Sequence, residues 1–209
     1  MKNIKMTQSE TASITLSDSN SAISAFQIWK GFHWSFIIQI QGLIICLQRF
    51  ERSLVSGNLA MAQTELTTAT DLMLASGAAM QLAGSFSPRD YAQQVRPSMM
   101  PPQVQSDNFS GLMSWEHAAL MQLWKRLTPA FRTLPAELQP QHQRFVEAYL
   151  MLATSHRAVC EKFGGDSTGS LRFEAGNAID TLDKFAQLRL QTLDPNRRGS
   201  HHCPFSPPA

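Results

Sequence analysis

Residues 21–55 read SAISAFQIWKGFHWSFIIQIQGLIICLQRFERSLV. Apolar side chains recur at three- and four-residue steps through Phe26, Trp29, Phe32, Phe36, Ile40, Leu43, Leu47 and Phe50, and no proline interrupts them. That spacing predicts one long helix, apolar over much of its circumference and therefore central to a core. The stretch from Phe32 to Leu47 is short for a membrane span and carries His33, Gln39 and Gln41, so a buried core helix is expected. Ser56-Gly57-Asn58 breaks it.

Further helices are expected from about Leu59 to Leu82, from Ser87 to about Val95, from Ser114 to about Leu127, over Gln141 to Phe163, and in a last segment ending at Leu193. Ser87 before Pro88 has the form of a cap followed by a first-turn proline. Pro97, Pro101 and Pro102 predict a loop over Pro97 to Asn108, and Pro129, Pro135 and Pro140 predict breaks between later helices. No stretch alternates as a strand does. The expectation is an all-α bundle of about five main helices, folded over 21–193, between a disordered segment at 1–20 and a disordered tail at 194–209.

Composition agrees with one globular unit. Of 209 residues, 43% are hydrophobic and 16% charged, and the formal net charge is only +2. The basic residues form no stripe, which argues against nucleic acid as a partner. Cysteines stand at 46, 160 and 203, an odd count at wide spacing that is no disulfide framework. The polar first twenty residues are no secretory signal, so a cytoplasmic protein without a membrane partner is expected.

The segment before Gly164 bears most on chemistry. Phe145, Tyr149, Leu152, His156, Cys160 and Phe163 share one helical face. A histidine on such a stripe needs partners for both ring nitrogens or a metal on one of them, and periodicity leaves a core histidine and a metal or haem ligand both open. Cys160 fits either a small core hydrophobe or a group touching a porphyrin held at His156. The loop Gly164 to Ser170 is a linker or a set of hydroxyls and amides for a polar ligand. His33 and His117 are ambiguous in the same way. His142 reads as exposed, and His201-His202-Cys203 sits in a proline-rich tail that preorganises nothing. No P-loop, dinucleotide fingerprint, catalytic Ser-His-Asp order or paired Glu-x-x-His motif is present.

Three segments in order resemble tryptophan 2,3-dioxygenase and the wider superfamily of histidine-ligated haem-dependent aromatic oxygenases. Phe86-Ser87-Pro88-Arg89-Asp90-Tyr91 is similar to its M-T-P-x-D-F helix start, and Ser110-Gly111-Leu112-Met113-Ser114-Trp115-Glu116 to its S-G-F-Q-S-x-Q. Ser155-His156-Arg157 with Gly164 to Leu171 resembles its proximal histidine and glycine-rich loop. A looser match joins Gln41-Gly42-Leu43 to Phe50 with H-Q-x-Y-E-L-W-F-K-Q, and together these cover about residues 35–175. The resemblance implies an iron-bearing haem on His156, with Cys160, Ser110 and Gly111 beside it and His117 and His33 as catalytic candidates. It implies an aromatic amino acid or indole-like substrate held by Arg96, Ser167 and Thr168, dioxygen or peroxide as oxidant, and a homo-oligomer. Ile40 replaces the family's distal histidine and Ala118 its carboxylate-gripping arginine, which turns the implied activity away from plain tryptophan dioxygenation. His156 and Cys160 resemble a His-x-x-x-Cys branch whose cysteine bonds the haem. The rival expectation is a helical binding or interaction protein without catalysis on the same scaffold.

Overall fold

The computed structural model describes residues 23–104, 114–163 and 178–197. Among them the chain is all-α, without a strand. The helices are α1 (Ala25–Val55), α2 (Leu59–Ala83), the single turn α3 (Pro88–Asp90), α4 (Trp115–Arg132), α5 (Gln139–Lys162) and α6 (Ala178–Leu193).

Local chemistry sets most of the ends. Ser24 caps α1 reciprocally with Gln27: the Gln27 backbone N–H donates to Ser24 Oγ, and the Ser24 N–H donates to Gln27 Oε1. Gly57 turns the chain with φ of 71°, and Asn58 caps α2 by accepting from the Met61 N–H. Ser87 caps α3 with Pro88 in the first turn, as its sequence predicts.

Three expectations need correction. The segment after α3 does not become a loop at Pro97: a π-turn over Tyr91–Val95 runs into a 3-10 turn over Arg96–Met99, because a proline in the first turn gives up an N–H that the helix does not use. The same reason lets α5 begin at Gln139, ahead of Pro140. Helix α4 continues past Leu127 and through Pro129 to Arg132. Lys125 and Pro129 are both exposed there, so the carbonyl that loses its donor faces water.

Helices α1 and α2 form a hairpin, α2 lies against α5, α4 packs on α1, and α6 bridges α4 and α5. One core joins Leu43, Leu47 and Phe50 of α1 to Leu66 and Met73 of α2, Leu123 and Leu127 of α4, and Phe145 of α5. A smaller cluster of Ala25, Phe86 and Val95 sits at the other end of α1, with Trp29, Tyr91 and Phe163 packed on it. Helix α1 has the length and apolar composition of a membrane span, yet its second half is the protein's own core.

Candidate functional site

The face α5 presents away from α2 is decided by how closely the two helices approach. A Cβ on Gly77 would stand 3.5 Å from the Leu152 Cα, and one on Gly84 would stand 2.9 Å from both Val159 methyls. Gln81 Nε2 donates to Ser155 Oγ at 2.8 Å, and Lys162 Nζ donates to the Gly84 carbonyl at 2.8 Å. Residues 152, 155, 159 and 162 are thereby turned to α2. One helical step round, Tyr149 is turned to α4 and α6, His156 to His33, His117 and Arg189 of α1, α4 and α6, and Cys160 towards Tyr91.

Three histidines from three helices meet there. His156 is half-buried, and its pKa is pushed down to about 4, first by burial, then by the positive charge of Arg189, then by His33 and His117. It is therefore neutral at neutral pH, and among the described residues no group hydrogen-bonds its ring. His33 of α1 lies 4.4 Å from the Trp29 ring, and its Nδ1 donates to the Trp29 carbonyl at 3.0 Å. That bond leaves Nε2 as the ring's acceptor, and burial lowers the His33 pKa. His117 stands in the first turn of α4, which Ser114 caps by accepting from the His117 backbone N–H. Its Nε2 accepts from Arg189 Nη2 at 2.8 Å. A guanidinium only donates, so this bond places the His117 proton on Nδ1.

Helix α6 is tied on by Arg157, which pairs with Asp183 at 3.2 Å and with Glu161. Buried Tyr149 donates to the Ala186 carbonyl at 3.3 Å. Its pKa is pushed up to about 12 by burial, opposed by Arg189 within hydrogen-bonding reach.

Cys160 is half-buried one turn beyond His156. Its thiol pKa is pushed up to about 11, first by burial and then by the Glu161 charge, so it rests protonated. Phe163 stacks on Tyr91 at 4.4 Å and on Phe86 at 5.3 Å. Tyr91 lies within electrostatic reach of Cys160 and in hydrogen-bonding reach of Arg96. The fold thus gathers His33, His117 and His156, with Cys160 one turn along α5 and Tyr91 within reach of both Cys160 and Arg96. Ser110, Gly111, Ser167, Thr168 and the His201-His202-Cys203 cluster lie outside the described residues.

His142 is not exposed, as its sequence context suggested, but buried. Its Nε2 meets the Leu193 carbonyl at 2.7 Å, and its ring stacks on Phe131 at 4.8 Å. The end of α6 covers it, a contact 51 positions away that helical periodicity does not show. Arg189 was missed for the same reason, since it stands in no motif; Tyr91 closes the Phe86–Tyr91 motif, which gave no sign of its place beside Cys160.

Among the described residues no three His, Cys, Asp or Glu side chains converge as a ligand set for a bare ion. A neutral imidazole with no hydrogen-bond partner among the described residues, with His33, His117 and Arg189 near it and a thiol one turn along α5, suits a planar macrocycle that brings its own remaining ligands. The donor set therefore fits a haem. A groove of about 220 Å³ between α2 and α5, lined by residues such as Thr70, Asp71, Gln141 and Met151, contains none of these groups.

The family model for SfmD 3-methyl-L-tyrosine peroxygenase matches residues 9–141. This chain belongs to that family. A 3-methyl-L-tyrosine peroxygenase of Streptomyces lavendulae is 28% identical over 172 residues, which is 81% of this chain and 47% of the relative. The chain thus spans about half the length of that curated family member. No solved structure matches. The family match ends near the start of α5, so His156 and Cys160 enter the site through their position in the fold. Kinship with tryptophan 2,3-dioxygenase rests on the motifs alone; Ile40 is buried in the main core and Ala118 is exposed.

Proposed function

We propose that this protein is a haem-dependent oxygenase of the peroxygenase kind that acts on an aromatic amino acid of the tyrosine class. The observation that carries the reading is the meeting of His33, His117 and Arg189 around a neutral His156 in a chain of a peroxygenase family. His156 holds the haem iron, and burial keeps its lone pair available for that bond. Cys160 lies near enough along α5 to reach the macrocycle edge. The bound haem supplies the oxidation of the aromatic ring, with peroxide or dioxygen as the oxidant. His117 and His33 each present Nε2 as an acceptor, which suits them to take a proton from a substrate hydroxyl or from the oxidant. Trp29, Tyr91, Phe86 and Phe163 exclude water beside them. The folded haem-binding unit spans 21–193, and a cytoplasmic homo-oligomer belongs to the same reading; sedimentation measures the latter.

Titration of purified protein with haem tests this first. A Soret band is expected, and His156→Ala should abolish it; no band in the wild type sinks the reading. Haem that resists acid–acetone extraction from the wild type, and is released from Cys160→Ala, marks a covalent link. Turnover is assayed with tyrosine, 3-methyl-L-tyrosine and tryptophan, under dioxygen and under peroxide. Haem binding with no turnover on any of them favours the non-catalytic reading, which the losses at Ile40 and Ala118 also support.

A further inference from the structure

Among the described residues, Arg189 is the cation of the histidine cluster that the proposed chemistry leaves without a task. It is half-buried on α6. Its Nη2 donates to His117 Nε2 at 2.8 Å, its guanidinium stands in hydrogen-bonding reach of the Tyr149 hydroxyl, and its Cζ lies 5.6 Å from the Phe185 ring centre. Every one of these partners is neutral. The acids nearest in sequence on α5 and α6, Glu161 and Asp183, are both engaged by Arg157. Among the described residues no carboxylate pairs with Arg189.

A guanidinium withdrawn from water among neutral rings carries a desolvation cost that neutral acceptors offset only in part. It has five N–H donors in a planar fork, and two named acceptors leave donors over. That fork fits the two oxygens of a carboxylate, and such charge-assisted pairs are about twice as strong as neutral ones. His117 gains from the same contact, because the donation from Arg189 holds its ring in one tautomer and orientation. The anion that completes Arg189 therefore sits directly beside His117 and within the cluster around His156.

We infer that Arg189 is the carboxylate-binding group of this site. The inference rests on the reading that the cluster takes an amino acid. Two ligands bring the same chemistry: the α-carboxylate of the amino acid and a propionate of the haem. The amino acid is the assignment made here, since position 189 then anchors one end of the molecule while its ring is presented to the histidines.

The test is calorimetric binding to the full chain, with and without added haem, of 3-methyl-L-tyrosine and of the amine that lacks its carboxylate. The variants are Arg189→Met and Arg189→Lys, each checked for an unchanged helical spectrum. Wild type is expected to prefer the acid over the amine. Arg189→Met should weaken the acid by about 10- to 100-fold and leave the amine within about twofold. Arg189→Lys, which keeps the charge and loses the fork, should fall between. An acid-to-amine ratio that is the same in wild type and Arg189→Met overturns the inference, as does a wild type without preference. Loss of haem affinity in Arg189→Met with the ratio unchanged overturns the amino-acid assignment in favour of the propionate. A wild type that binds no haem fails the haem reading alone, because the acid-to-amine ratio is read on the cofactor-free protein as well.

Discussion

The two halves of α1 are made of much the same residues and meet different fates. From Ile40 to Phe50, the side chains of Leu43, Leu47 and Phe50 are wholly buried against α2, α4 and α5. From Phe26 to Ile38 no large ring or aliphatic is fully buried: Trp29, Phe32 and Phe36 are half-buried, Trp34 is 58% exposed and Ile38 64%. The half that packs well holds no histidine. The half that packs loosely holds His33, which lies within electrostatic reach of His156, as do His117 and Arg189. A site needs apolar surface that the protein's own side chains do not fill, and in this helix the filled and unfilled surfaces are separated along its length.

The largest expected effect lies in the filled half. Phe50→Ala should cost about 3–5 kcal/mol in urea unfolding, as for other fully buried rings. Trp29→Ala, at the half-buried end, should cost under about 2 kcal/mol and mainly weaken ligand retention. Equal costs at the two positions would break the comparison.

Acid should reveal the open end next. His156 has a folded pKa of about 4, and those of His33 and His142 are lowered as well. Unfolded histidines titrate near 6.5, so below that pH the unfolded chain binds more protons and is favoured. The stability that neutral histidines contribute is present above about pH 6.5 and is lost as pH falls; for His156 the loss runs down to about 4, at up to about 1.4 kcal/mol per pH unit, and His33 and His142 add to it in the same direction. Urea melts of the cofactor-free protein between pH 7 and 4 measure the slope. It should flatten in His156→Ala; an unaltered slope would remove His156 from the account.

The contact of α2 with α5 ranks third. Gly84→Ala sets a methyl against the stiff Val159 side chain and should destabilise by about 1–3 kcal/mol. Because Val159 adjoins Cys160, the variant should also alter haem retention if the site is built on this helix contact. The smallest effect is expected at the surface of the well-packed end. Arg126 forks onto Glu51 at 2.8 and 2.9 Å, yet it is largely solvated, and Arg126→Ala should shift stability by no more than about 1 kcal/mol.

Much of the fold is legible in local pattern. Helices α1 and α2, their Gly57 turn and the Ser87-Pro88 start follow from spacing, capping and backbone preference, all of which act within a few residues. Pro129 misled because proline marks a missing hydrogen bond and does not tell whether water supplies the replacement. At the site, the shared face of Tyr149, His156 and Cys160 is a matter of helical geometry and was readable. That His33 and His117 lie round it was open to sequence only through resemblance.

The amino-acid sequence by itself determined an all-α chain, a long apolar first helix and a histidine and a cysteine one turn apart on a core-facing stripe, because each depends on residues within a turn or two. Tertiary structure alone decided which histidines are neighbours. It put His142 under the end of α6, as a packed core group, and His156 beside His33 and His117. It also brought Arg189, from the last helix, onto His117. These pairings join residues 39 to 123 positions apart by the separations of His117 and His33 from His156, and of 72 for Arg189 and His117. Only the packing of four helices brings such residues within reach of one another, and no local propensity encodes it.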